Sequence, residues 1–218
     1  MKLYSYWRSS TSYKVRIALN LKGLDYDVVP VHLVNNGGEQ HAVDYTQLNP
    51  MQAVPTLVDQ ELTCAQSNTI LEYLEEQYPA PALLPEDIKQ RAYIRQIMNI
   101  VACDIHPVNN LRILKYLVGS LEISQMQKNE WYAHWIHQGF RALNEMMANS
   151  AFHTDAGYVC GSDFSFAEAT LIPQMYNARR FDVDLDAYPV LTKIEAHCLE
   201  NSAFIKALPE NQTDAVPA

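Results

Sequence analysis

Residues Trp7–Leu21 read WRSSTSYKVRIALNL, and the way this stretch is divided decides the fold. Ahead of it, Lys2 to Trp7 (KLYSYW) is short and aromatic-rich, the profile of a β-strand. From Tyr13 to Lys22 the apolar residues Val15, Ala18, Leu19 and Leu21 alternate with Lys14, Arg16 and Lys22, which predicts an amphipathic helix. Between strand and helix stand four hydroxyl residues, Ser9, Ser10, Thr11 and Ser12. Their side-chain oxygens can cap free backbone N–H groups, at the helix end where the macrodipole favours an anion such as a thiolate. From this stretch alone, a plain helix cap and an anion site are both open.

Working outward, Gly23 is placed to stop the helix, and Tyr26 to Leu33 returns to strand composition with Pro30 marking an edge. A polar loop, Val34 to Asn49, holds at most a short helix. Val54 to Val58 and Glu61 to Cys64 are short enough and close enough to pair as a hairpin across Asp59-Gln60. Asn68 to Tyr78 then has helical spacing at Ile70, Leu71 and Leu74 and opens on Gln66-Ser67. The order is β-α-β-(α)-β-β-α.

Pro79 to Pro85 (PAPALLP) cannot continue a helix and reads as a linker, giving expected domains of residues 1–80 and 86–218. Beyond it the pattern is helical throughout: Lys89 to Val118, Ser124 to Asn149, Ser165 to Arg180 and Tyr188 to Asn201. Ser165 and Glu168 fit a capping box, and the polar tail from Pro209 is expected to fray.

The 218 residues carry a formal net charge of −9, which argues against nucleic acid or an anionic membrane as partner, since both need a basic footprint. No run approaches the length of a membrane span, and the start has no apolar leader, so a cytoplasmic protein is expected. Cys64, Cys103, Cys160 and Cys198 are far apart, which predicts free buried thiols and no zinc or dithiol centre. His134 and His137 lack an evident third ligand, so no metal is expected.

Three further segments bear polar chemistry. A Val54-Pro55 bond in the cis form would offer a strand edge to an extended peptide ligand, and Gln66-Ser67 at a helix start suits a carboxylate. In CDIHPVNNLR, His106, Asn109 and Asn110 stand at i, i+3 and i+4, which on one continuous helix shares a face, with Arg112 at its margin. A solvated face explains the same spacing. Arg179 and Arg180 end a helix, where cations are favoured in any case; if Arg8, Arg112 and Arg180 converged, they would make a cationic pocket for a dicarboxylate.

Taken together, SSTSYKVRIALNLKG, LNPMQAVPTL, QSNTILEYLEEQYP, the segment from His106 to Arg112 and IPQMYNARRFDVDL resemble, in order and spacing, the zeta-class glutathione transferases, which include maleylacetoacetate and maleylpyruvate isomerases. The resemblance spans essentially the whole chain. It implies a glutathione transferase fold: an α/β thioredoxin-like N-terminal domain, an all-α C-terminal domain, a homodimer and glutathione as cofactor. Position by position it implies Ser9 for the glutathione sulfur, with Ser10 beside it. It implies Val54 and Pro55 for the cysteinyl backbone, Gln66 and Ser67 for the γ-glutamyl carboxylate, and Asn109 for a further glutathione contact. Arg180 aligns with a substrate-carboxylate arginine; Arg8, for a second carboxylate, and His106, Asn110 and Arg112, for an enolate, are the further candidate substrate residues.

Two positions depart from the family pattern. Thr11 stands where the motif usually has cysteine, so a covalent role for a protein thiol is unavailable, while isomerisation through glutathione's own sulfur needs none. Glu168 replaces the usual aspartate of the capping box. The implied activity is glutathione-dependent cis–trans isomerisation of a maleyl keto acid, maleylacetoacetate to fumarylacetoacetate. The alternatives are maleylpyruvate isomerisation, which Thr11, Arg8 and CDIHPVNN favour, a conjugating or dehalogenating transferase, and a non-catalytic binding module on the same fold.

Overall fold

A computed structural model describes residues 1–216 and divides the chain into two compact units. Met1–Leu83 forms the first together with the described residues from Leu199 onward, and Leu84–Cys198 forms the second. The tail therefore differs from its expected place: it belongs to the first unit, not to the helical domain that precedes it.

The first unit is built on strands β1 (Lys2–Ser5), β2 (Asp27–Pro30), β3 (Thr56–Asp59) and β4 (Leu62–Ala65), in the order β2-β1-β3-β4. β1 and β2 are parallel, joined through helix α1 (Ser10–Leu21), while β3 runs antiparallel to both β1 and β4. Pro30 sits on the edge strand, where a missing N–H costs no ladder bond. Gln60 takes a positive φ of 52° in the hairpin turn. Helices α2 (Val43–Leu48), α3 (Ser67–Gln77) and α10 (Ser202–Ala207) complete the unit.

Helix α1 is not the half-exposed amphipathic helix its pattern predicts. Residues Ser12 to Leu19 are all buried, including Lys14 and Arg16, and so is Lys22 at its C-terminal end. Each cation has a dedicated partner, as burial requires. Lys14 Nζ donates to Asn68 Oδ1 at 2.8 Å, and Lys22 Nζ pairs with Glu75 at 2.7 Å while donating to the carbonyls of Tyr78 and Pro81. Arg16, fully buried, donates to Ser5 Oγ, the Trp7 carbonyl and the Ala207 carbonyl, and burial lowers its pKa to about 10. The basic face is thus an internal fastening. Gly23, at φ 65°, ends the helix as its position predicts.

The tail does not fray over its described length. α10 packs along α1, Asn20 Nδ2 donates to the Ala203 carbonyl, Pro209 is buried, and Asp214 accepts a bond from the Trp7 amide. Asn211 and Gln212 bond carbonyls of the tail itself, while Asp214 reaches Trp7, a non-local pairing that composition does not reveal.

The second unit is helical: α4 (Ile88–Asn99), a π-helical segment (Ile100–Ile105), α5 (His106–Asn109), α6 (Leu111–Gly119), α7 (Gln125–Ala148), α8 (Phe166–Arg180) and α9 (Pro189–Cys198). The expected helix from Lys89 to Val118 is therefore broken twice. Asn110 leaves helical geometry (φ −74°, ψ 162°) and caps α6, its Oδ1 accepting from the Ile113 amide at 3.1 Å. The capping box at Ser165 and Glu168 starts α8 as expected; Glu168 also accepts from the Val159 amide, and burial raises its carboxyl pKa while these donors pull it back. Of the four thiols only Cys160 and Cys198 are buried, and Cys103 is exposed on the π segment. Among the described residues, no helix is long and apolar enough to cross a membrane.

Candidate active site

In the first unit, Ser9 is the N-cap of α1: its Oγ accepts from the Ser12 amide at 3.3 Å, so the helix begins at the hydroxyls. Thr11 Oγ1 donates to the Val54 carbonyl at 3.0 Å and lies 2.9 Å from Ser9 Oγ. Because a hydroxyl has one proton and a carbonyl can only accept, Thr11's proton goes to Val54 and Ser9 is the donor in the Ser9–Thr11 bond. The Val54 carbonyl that the sequence pattern left for a ligand is thus held by Thr11.

The Val54-Pro55 bond is cis, and both residues are buried. Thr56 pairs with Ala65 in the hairpin, so Val54-Pro55 and Gln66-Ser67 lie at the same end of β3 and β4. Gln66 carries φ 72° and ψ 112°, a conformation that costs an ordinary side chain about 1–3 kcal/mol and tends to mark ligand clamps. Lys14, one turn into α1, reaches Asn68 in the first turn of α3. Two helix N-termini and the Val54-Pro55 edge are therefore tied together by side-chain bonds. Ser10 lies in the first turn of α1, and Arg8 lays its guanidinium over the Trp7 ring at 4.2 Å.

A polar cluster that the sequence pattern did not flag lies two residues ahead of Val54. His41 Nδ1 is 2.6 Å from Gln52 Oε1, and its Nε2 is 2.9 Å from the Gln40 amide nitrogen. Gln52 adopts a positive φ of 53°, and nothing in the local spacing of these residues announces the contact.

In the second unit the expected shared face of His106, Asn109, Asn110 and Arg112 is divided. His106 and Asn109 belong to α5; Asn110 is the junction, with Oδ1 on Ile113 and Nδ2 on the Pro107 carbonyl; Arg112 is exposed in the first turn of α6. The physical reason is capping: an asparagine after a short helix bonds the next helix's free amides better than it continues the turn. Asn109 is buried, its Nδ2 donating to the Tyr132 carbonyl at 3.1 Å and its Oδ1 buried without a partner.

Arg179 and Arg180 separate in role. Arg179 grips Glu195 through both Nε and Nη2. Arg180 lies 5.0 Å from the Phe181 ring, which stacks on Tyr132 at 3.7 Å, and the buried Tyr132 phenol is pushed up to about 12, chiefly by desolvation. Tyr132 therefore links Arg180, through Phe181, to Asn109.

Residues 1–76 match the family model for the glutathione S-transferase N-terminal domain. Over 213 residues the chain is 48% identical to a probable maleylacetoacetate isomerase of Vibrio cholerae, covering 98% of this chain and 97% of that one. The chain belongs to the zeta-class glutathione transferase family. Among solved zeta-class structures, a holo maleyl pyruvate isomerase superposes with a TM-score of 0.95 at 43% identity, covering 99% of this chain and all of that one. A maleylacetoacetate isomerase of Methylobacterium extorquens AM1 with bound malonate and GSH gives 0.94 at 34% identity, with both chains covered in full. The mixed four-stranded sheet and the helical second unit are the two parts of this zeta-class transferase fold.

Proposed function

We propose that this chain is a glutathione-dependent cis–trans isomerase of a maleyl keto acid, converting maleylacetoacetate to fumarylacetoacetate. The observation that carries the reading is the Thr11 hydroxyl bridging Ser9 Oγ and the Val54 carbonyl, which brings a helix-capping hydroxyl and the Val54-Pro55 edge to one place. The residues present fit glutathione: hydroxyls and amides at the start of α1, the Val54-Pro55 edge, and the strained Gln66 beside Ser67 at the start of α3.

Ser9 and the α1 N-terminus hold the sulfur as thiolate, because the helix end and a hydroxyl donor both favour negative charge there. Ser10 supplies a second group at that end. Ser9's proton rests on Thr11 in this structure and would turn to the sulfur once glutathione is bound. Val54 and Pro55 take the cysteinyl backbone, Gln66 and Ser67 the γ-glutamyl carboxylate, and Asn109 a further polar group. Bound glutathione supplies the sulfur nucleophile that opens the conjugated double bond to rotation. Arg180 and Arg8 bind substrate carboxylates, with His106 and Arg112 offering positive or polar groups to developing charge on oxygen. Asn110 acts through its cap of α6. No protein thiol takes part, which accommodates Thr11.

The reading extends to a homodimer working in the cytoplasm within aromatic amino acid breakdown. A second reading, maleylpyruvate as substrate, is favoured by the likeness to maleyl pyruvate isomerase. Isomerase assays on both acids, with and without glutathione, test the proposal: turnover of the maleylacetoacetate arm, dependent on glutathione, supports it. Preference for maleylpyruvate transfers it to the second reading, and glutathione-independent turnover or none removes it.

A further inference from the structure

The segment that delivers Arg8 and Ser9 leaves β1 after Ser5, so the polar backbone groups of Trp7 have no strand partner. Trp7 is buried, and buried backbone groups need bonds from elsewhere. Both come from charged side chains. The Trp7 amide donates to Asp214 Oδ2 at 3.0 Å, and the Trp7 carbonyl accepts from Arg16 Nη2 at 3.0 Å. Arg16 in turn spends two bonds on the Ala207 carbonyl at the end of α10, so the chain's last described stretch supports both sides of Trp7. Ala215, next to Asp214, packs against the cluster of Tyr6, Trp7, Val31, Tyr45 and Val54. Two residues beyond Trp7, the Ser9 amide closes a turn onto the Tyr6 carbonyl at 2.9 Å, which passes the fixed geometry directly to the α1 cap.

We infer that Asp214 is a positioning residue: by anchoring the Trp7 amide it sets where Arg8 and Ser9 stand, and so tunes the hydroxyl that meets the cofactor. This rests on the proposed function for its catalytic consequence. It does not rest on it for the anchoring. Leaving the buried Trp7 amide without an acceptor is costly enough to change an equilibrium by about tenfold or more.

The test uses Asp214→Ala and Asp214→Asn in the full chain, the second keeping an oxygen that can accept from Trp7. Three quantities are read: amide hydrogen exchange of the unliganded protein, the pH at which bound glutathione ionises by thiolate absorbance, and kcat/KM. For Asp214→Ala, exchange over Trp7 to Ser12 should speed up about tenfold while the sheet is unchanged. The bound thiol should ionise at higher pH, kcat/KM should fall about tenfold, and Asp214→Asn should stay near wild type.

Wild-type exchange at Trp7 to Ser12 in Asp214→Ala overturns the inference, and so does loosening spread evenly over the first unit, which would mark a merely structural contact. If Asp214→Ala does not fold, Asp214→Asn decides: wild-type exchange supports the anchor, and loosening overturns it by showing that the charge beside Arg16 matters instead. Should the wild-type protein isomerise neither acid, the functional reading fails alone, because the exchange measurement still decides the anchor.

Discussion

The candidate residues of the first unit are joined to one another, whereas those of the second are joined to packing. Ser9, Thr11 and Val54 form one hydrogen-bonded chain, and Lys14 to Asn68 ties it to the start of α3. In the second unit Asn110 is occupied by a cap, Asn109 by the Tyr132 carbonyl, and Arg112 and Arg180 are exposed. A site that must hold the same tripeptide each turn gains from being built in advance, since preorganised donors need no rearrangement at the moment of reaction. In the proposed reading, the long exposed side chains of Arg112 and Arg180 follow an acid whose shape changes as its double bond rotates.

This contrast can be broken by substitution. Ser9→Ala should have the largest effect, about 10²-fold in kcat with glutathione affinity changed much less, because it removes the donor proposed to keep the cofactor sulfur as the reactive thiolate. Steady-state kinetics at saturating glutathione check this, and wild-type turnover would remove Ser9 from the role. Gly139 comes next. It lies on α7 against Ile105 of the π segment, and a Cβ there would overlap the Ile105 side chain. Gly139→Ala should therefore cost about 1–3 kcal/mol in urea unfolding and disturb the second unit's residues through packing alone. Unchanged stability would show that the π segment yields freely.

Arg180→Ala should raise KM for the acid about tenfold with kcat little changed, as for a group that binds ground and transition states alike. Arg179→Ala, whose partner is Glu195, should leave KM alone; reversed results would exchange the two roles. The smallest expected effect belongs to Thr11→Val, a rise of about threefold to tenfold in KM for glutathione, with Thr11→Ser restoring the wild-type value. If valine matched threonine, the Ser9–Thr11–Val54 chain would be incidental and the first unit no more preorganised than the second.

Much of this was legible in the sequence because it is local. Strand and helix periods, the Gly23 stop, the hairpin across Asp59-Gln60 and the Ser165–Glu168 box depend on neighbours within a turn or two. What the pattern missed depends on distant partners or on competition between two local preferences. Lys14, Arg16 and Lys22 look like a solvated face until Asn68, Ala207 and Glu75 arrive to pair with them. Asn110 satisfies helical spacing and N-cap chemistry equally well on paper, and the cap wins because α6 has free amides to satisfy. The hydroxyl motif was visible as a motif. That Thr11 fastens it to Val54, 43 residues on, was not.

The discontinuous make-up of the first unit has a consequence for how the protein is made. Arg16 bonds a carbonyl 191 residues later in the chain, and Trp7 bonds a carboxylate 207 residues later. While the ribosome is still working through the helical unit, the emerging N-terminal sheet therefore holds a cation destined for burial and an amide without its acceptor. Its strands can pair early, but the segment bearing Arg8 and Ser9 can set only after Ala207 and Asp214 have emerged. A nascent chain halted before α10 should then carry a formed sheet and an unset turn from Trp7 to Ser9.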